Sequence, residues 1–503
     1  MSVQPFRRIE SLVLSTVLAG RLLLALWLWR RIELPFLPLS FDDFSRTLIA
    51  YRWELRGGVW LPLPFLVVGS VMQLFPSHWA LAPLFVNLFS SSLAMVFLYL
   101  FARCFFNSPL VASLTLLITA FLPWPLWLSI SGLPGSLFQC FMIGGFLGLL
   151  CWLRRDRLVY LLGASTMFAL ATMTRYESWG FAVCFALVVI ARLALASRLH
   201  WRSLLATSPP LVFPAFWGAM NALAHGDSLH FMNVVESRYS QVQGTDLVWW
   251  KNLTYYIELL PQISPLVFFL VLIGSGLFIV AAQSRQSVFF PLLALWGGGL
   301  VSLIVSSLLG AKPTHLPIRV VIVPFLLLTP LAAYAPGWLA QRRSFWPKVA
   351  AFLIIAVVVG VNFSHWEQHP FALSQELKTI GEELNQLWEK GFLEPDDQVL
   401  VERRGWDYLA FQVLSGHPDQ VWVDSGPPAG LRWQMAPVVL SQETPGLEAS
   451  LRGIRVRLVL VHSPPATAQL QSIMASVWQT DSYRFYIYPN DSGAYRAIKT
   501  EAW

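Results

Sequence analysis

The residues best suited to chemistry crowd one short stretch. Residues 30–60, RRIELPFLPLSFDDFSRTLIAYRWELRGGVW, hold the adjacent acids Asp42 and Asp43, with Glu33 and Glu54. The same stretch carries Arg30, Arg31, Arg46, Arg52 and Arg56. Two neighbouring carboxylates resist joint ionisation when buried, which raises one of the two pKa values. A carboxylate in that position can take the proton of an acceptor hydroxyl. Nearby arginines can grip a phosphate through paired N–H donors. The acids would equally suit a divalent metal. A purely structural role fits the same letters: Ser40-Phe41-Asp42-Asp43 reads as a capping box, and acids favour a helix start without any catalysis. The arginines also suit interfacial anchoring. The two roles are compatible, since a catalytic carboxylate can sit at a helix N-terminus.

What must position these residues is a membrane body. Of 503 residues, 56% are hydrophobic and only 13% charged, where a soluble chain carries about a quarter charged residues. That excludes a cytosolic enzyme, a disordered chain and a nucleic-acid binder. Residues 1–363 contain 24 Lys and Arg against 11 Asp and Glu, whereas residues 364–503 contain 11 against 17. The basic excess thus belongs to an apolar body and the acidic excess to a tail. The sequence predicts two domains on this division, 1–363 in the membrane and 364–503 soluble. Cys104, Cys140, Cys151 and Cys184 all fall in the body and read as packing residues.

A crossing helix needs roughly 20 apolar residues. About eleven segments qualify on that count: 11–29, 82–101, 109–128, 135–153, 158–174, 179–196, 204–224, 264–282, 288–309, 318–338 and 347–363. The shorter run 61–75 reads as a re-entrant or interfacial helix. The first segment is interrupted by Arg21 and lacks a small-residue cleavage site, which favours a retained span over a signal peptide. Arginines and lysines in alternate loops favour a cytoplasmic N-terminus. An odd number of spans then puts the tail outside, on the periplasmic or extracellular face of the plasma membrane. Residues 30–60 face outward in this topology, against the positive-inside trend. Charge placed so near a membrane tends to mark function.

The order of these features resembles a known superfamily. FDDFSR leads into an amphipathic stretch, AYRWELRGG, then into LPLPFLVVGSVMQLF and a span ending FLYLFARCFF; further on comes ATMTRYESWGFAV. This is similar to the GT-C superfamily of polytopic glycosyltransferases, especially the family 39-type branch of protein mannosyltransferases and the lipid A aminoarabinose transferase. The resemblance covers most of residues 1–340. It implies a mainly α bundle that transfers a sugar from a polyprenyl-phosphate donor to a glycan, lipid or protein acceptor on the outer face. It further implies Asp42 or Asp43 as the catalytic carboxylate, and no metal or other cofactor. The chain departs from the branch at Gly135, where an acid is common, and at Ser178, where glycine is usual.

Other outward residues complete the list of candidates. Arg175, Tyr176 and Glu177 lie at a hairpin tip, with a satisfied turn and an interfacial tyrosine as the structural alternative. Lys312, His315 and Arg319 precede another span, where an arginine is placed to hold a lipid phosphate or simply to snorkel. Arg46 and Arg52 are donor-phosphate candidates on the first loop, and Glu54 an additional acid. Asp227, Glu236 and Lys251 are weaker candidates. In the tail, 371–391 shows helical spacing, and 398–402, 420–424, 455–462 and 483–489 read as strands. Helix-like stretches at 405–415 and 466–478 between them predict a small α/β domain. The competing function is a transporter or flippase, although no internal repeat of the kind such proteins show is visible. A scaffold subunit has no need of an acid pair among arginines.

Overall fold

The computed structural model of the chain describes residues 8–53, 60–197, 200–234, 249–281, 286–308, 317–365, 375–404, 407–424, 436, 440 and 446–487. The chain divides into two compact units. One is drawn from residues 1–31, 58–68 and 83–369, the other from 32–57, 69–82 and 370–503. The described part of the first loop, 32–53, therefore packs with the C-terminal domain.

The first unit is helical. It contains α1 (Arg8–Ile32), the first half of α3 (Leu63–Leu74), most of α4 (Ala82–Phe106), α5 (Pro109–Ala120), α6 (Pro123–Ser129) and α7 (Gly135–Arg155). After these come α8 (Leu158–Thr172), α9 (Glu177–Leu195), α10 (Trp201–Thr207) and α11 (Pro209–His225). The series closes with α12 (Trp249–Ile263), α13 (Pro265–Ala281), α14 (Gln286–Leu308), α15 (Ile318–Ala340) and α16 (Phe345–Ser364). Between α1 and α3, in sequence, lies α2 (Phe41–Arg52), which belongs to the other unit.

All eleven expected segments are helical, but fewer are straight crossings. Among the described residues seven helices are long and apolar enough to cross a membrane, or up to nine if each of two bent pairs is one span. The bends have a covalent cause. A residue before proline is pushed out of the α region; α5 and α6 meet at 68° just before Pro123, and α12 and α13 at 103° just before Pro265. Helices α8 and α11 fall short, at 15 and 17 residues. The run 61–75 forms α3, a 12-residue helix.

Arg21, which interrupts the first apolar run, is only 3% exposed. Its guanidinium donates to the carbonyls of Ala120 (2.5 Å) and Pro125 (3.0 Å) and to the Ser91 hydroxyl (2.7 Å). It thus satisfies backbone that the α5–α6 bend releases, as a charge inside an apolar bundle must.

Close helix contact in an apolar bundle relies on small residues. A Cβ at Gly274 of α13 would collide with the carbonyl of Leu331 on α15, whereas one at Gly276 would meet open space. Gly274→Ala is expected to destabilise the bundle by about 1–3 kcal/mol through overpacking. Thermal melting of the purified protein checks this, with Gly276→Ala expected to melt no lower than wild type.

The second unit ends in an α/β domain: α17 (Gln375–Glu389), β1 (Gln398–Val401), α18 (Asp407–Leu414), β2 (Val421–Val423), α19 (Leu447–Gly453), β3 (Val456–Val461), α20 (Pro464–Gln471), β4 (Ala475–Gln479) and β5 (Arg484–Ile487). The sheet order is β2-β1-β3-β5-β4; β1 is parallel to β2 and β3, while β5 is antiparallel to β3 and β4. Leu458, Val459, Leu460 and Leu400 are wholly buried at its centre. Four strands lie where the sequence predicts them; β4 replaces the end of the expected helix 466–478. Asp397 closes the turn before β1, accepting from the Glu394 N–H at 2.8 Å.

Candidate functional site

Helix α2 carries the acid pair. Phe44, Leu48 and Ile49 are at most 1% exposed, each contributing roughly 1.5–3 kcal/mol of burial. That apolar stripe fixes the helix rotation and leaves Asp42 and Arg46, one turn apart, half-buried on another face. The pair divides its labour. Asp43, the third helical residue, is fully buried and its Oδ2 accepts from the Ser40 N–H (3.0 Å) and hydroxyl (3.3 Å). The capping box is therefore real, and Asp43 is its acid. Asp42 stands beside it at the same positive helix end.

The other end of α2 is held just as firmly. Trp53 adopts a left-handed conformation (φ 54°) and returns its N–H to Ala50. A Cβ at Gly69 would lie 2.7 Å from the Ala50 carbonyl, so α3 passes this end as closely as a glycine permits. The Tyr51 ring lies 4.7 Å from Trp79. Arg52 donates to the Pro418 carbonyl (2.9 Å) and to Asp419 (3.5 Å), and the Tyr51 hydroxyl donates to Asp419 (3.4 Å). Burial and the Asp419 charge push the Tyr51 phenol up, which keeps it a neutral donor. Arg52, a phosphate candidate from sequence, is thus engaged with the loop between α18 and β2.

A second tie joins Glu33 to Lys378 of α17. The hydrogen bond and charge of Lys378 hold the Glu33 carboxyl below the usual carboxylate range. A depressed carboxylate stabilises the folded state above its unfolded pKa, and that stabilisation is lost as pH falls through the folded value. The melting difference between wild type and Lys378→Gln is therefore expected to be full at neutral pH and to close in acid.

In the helical unit, Arg175, Tyr176 and Glu177 form the α8–α9 hairpin. Arg175, 8% exposed, donates through Nε (3.1 Å) and Nη2 to the two Glu177 oxygens, a bidentate fork. Its guanidinium stands 5.6 Å over the Phe138 ring. Ser178, where glycine was expected, is buried and donates to the Arg175 carbonyl at 2.6 Å, closing the turn. Tyr176 stacks on Phe231 at 4.5 Å and accepts from Trp217 Nε1 at 3.1 Å. Arg319, 9% exposed at the start of α15, lies in electrostatic range of Glu177. Tyr256 of α12, 1% exposed, lies in range of both Glu177 and Arg175 and bonds to Ser306.

The structure therefore brings Arg175, Glu177 and Arg319 together, with Tyr256 added. It holds Asp42, Asp43, Arg46 and Arg52 on one helix. Glu54, Lys312 and His315 lie outside the described residues. Tyr256, Lys378 and Asp419 were not singled out from sequence. Only the aromatic run YYIELL hinted at the first, and nothing local marked the other two. Among the described residues no three His, Cys, Asp or Glu side chains gather to hold a metal ion.

Several solved structures share this fold across nearly the whole chain. ArnT from Cupriavidus metallidurans bound to undecaprenyl phosphate superimposes with a TM-score of 0.59 over 95% of this chain and 98% of that one, at 13% identity. The chain has the GT-C fold. The apo state of ArnT gives 0.57 at 14% identity, over 93% and 97%. Archaeal oligosaccharyltransferase AglB from Archaeoglobus fulgidus, in complex with an inhibitory peptide and a dolichol-phosphate, gives 0.50 at 12% identity, over 90% of this chain and 70% of that one. No protein-family model matches the chain, and no curated protein matches it.

Proposed function

We propose that the chain is an integral-membrane glycosyltransferase that moves a sugar from a polyprenyl-phosphate donor to an acceptor hydroxyl or amine on the outer face. Its N-terminus is cytoplasmic and its α/β domain outside. The observation that carries this reading is the fold, shared over 95% of the chain with a protein bound to undecaprenyl phosphate. The charged clusters support it.

Asp42 serves as the base, since the Asp43 carboxylate is occupied in the cap. The acceptor proton passes to Asp42 as the acceptor atom bonds to the anomeric carbon. The bond from that carbon to the phosphate oxygen breaks, and its electron pair leaves with the lipid phosphate. Fixed cations stabilise that charge without reorganising. On α2 itself Arg46 is a candidate for this role, and in the helical unit Arg175 and Arg319 are candidates for holding a lipid phosphate. Arg175 is well prepared: Glu177 holds two of its nitrogens, and Nη1 makes no hydrogen bond among the described residues. Glu177 orients Arg175.

The test is incubation of purified protein with radiolabelled polyprenyl-phosphate sugars and a membrane extract as acceptor source. Free polyprenyl phosphate and a labelled acceptor are expected together. Movement of intact lipid-linked sugar across proteoliposomes without cleavage would establish a flippase instead.

A further inference from the structure

We infer that the C-terminal domain carries a saccharide-binding pocket at the carboxyl end of β3. The chain leaves β1 for β2 on one side and returns later to β3 on the other, all three parallel. Open α/β sheets often bind ligands outside the carboxyl ends of their strands. At that end Glu402 follows β1 and His462 follows β3. Glu402 Oε2 accepts from the N–H groups of His462 (2.7 Å) and Ser463 (2.9 Å), tying the two loops together.

A cavity of about 350 Å³ opens beside the carboxyl end of β3, on the side away from β1, between β3, α20 and the turn from β4 to β5. That size falls within the range of small-ligand sites, roughly 300–1,000 Å³. Its floor is rigid: Tyr483 is 1% exposed, its hydroxyl donates to Asp407 at 3.1 Å, and its ring meets His462 edge-on at 6.1 Å. Its rim is uncommitted. Gln471, Gln479, Asp481 and Arg484 line the cavity, and none of their side chains has a hydrogen-bond partner among the described residues.

The mixture of these groups selects the ligand. An anion meets the Asp481 carboxylate, a cation meets Arg484, and an apolar molecule makes use of none of the four. Two amides, one carboxylate and one guanidinium are satisfied together by a neutral ring whose hydroxyls each donate and accept. That is a sugar, and the volume admits roughly one or two rings. Use of the pocket for donor or acceptor glycan rests on the proposed transfer; binding itself does not.

Saturation-transfer NMR on the full-length protein in lipid nanodiscs tests this, with methyl glycosides of glucose, galactose, mannose and N-acetylglucosamine as probes. At least one glycoside is expected to receive saturation from wild type. The signal should fall at least about five-fold in Gln471→Ala/Gln479→Ala, the scale of a lost hydrogen bond. Ala468→Trp, which fills the cavity from an exposed position, should lose it too; unchanged melting verifies that both variants fold. Asp42→Asn should keep the signal, so loss of transfer and loss of this binding are separate failures. The inference is overturned by silence from every glycoside or by an undiminished signal in both variants. Binding of inorganic phosphate, abolished by Arg484→Gln, in place of any glycoside also overturns it.

Discussion

Asp42→Asn is expected to lower transfer from a lipid-phosphate sugar donor by at least about 100-fold, the lower range for loss of a general base, with melting close to wild type. Asparagine keeps the shape and the helix-start preference of aspartate but cannot take a proton. Asp43→Asn should behave differently. Asp43 is fully buried and caps α2 from inside, so its loss is felt first as stability, about 0.5–2 kcal/mol for a helix cap. Its activity should fall only as far as α2 loosens, and should recover at lower temperature. A radiolabel transfer assay beside thermal melting separates the two acids. Full activity in Asp42→Asn, or loss in Asp43→Asn at unchanged melting, would reverse the assignment.

Arg175→Ala carries the second large effect. Arg175 and Glu177 form a bidentate pair with side chains 8% and 19% exposed. Removing one partner of a buried pair strands the other charge, at about 3–5 kcal/mol. Some of that is offset here by the charge of Arg319, which also favours the Glu177 carboxylate. Arg175→Ala/Glu177→Ala should regain most of the stability, because no buried carboxylate remains. It should not regain transfer, because the phosphate loses its fixed cation. A purely structural pair would recover both, so comparing melting with turnover in the double variant decides between the roles. Arg175→Lys should keep the charge and lose the fork, giving an intermediate rate.

The legible parts of the molecule were those set by local sequence. Apolar runs announced every long helix, and Ser40 with Asp43 announced the cap, because both depend on residues within one or two turns. Prolines at 123 and 265 were visible too, yet the 68° and 103° bends they introduce depend on what packs around them. Arg21 looked like an interruption from sequence alone; its three partners lie 70 to 104 residues away. The same distance problem hid Lys378 and Asp419, whose value to the first loop comes from ties 345 and 367 residues long. Strand β4 was missed because ASVWQ has no proline or glycine separating it from the helix before it. At the site, residue types were legible but their division of labour was not. Adjacent Asp42 and Asp43 look alike in sequence, and only the burial of one shows which is engaged.

The two ties from residues 32–57 to the C-terminal domain also order events during synthesis. The segment bearing Glu33, Asp42 and Arg52 is made near the start of the chain, but Lys378 and Asp419 follow only after all the helices of the first unit. Closing a loop of that length costs little more entropy than closing a shorter one, yet it cannot happen before its far end exists. The acid-bearing segment therefore gains these two ties only after all the helices of the first unit have been made. A nascent chain holds this segment by its local contacts alone until Lys378 and Asp419 have been made.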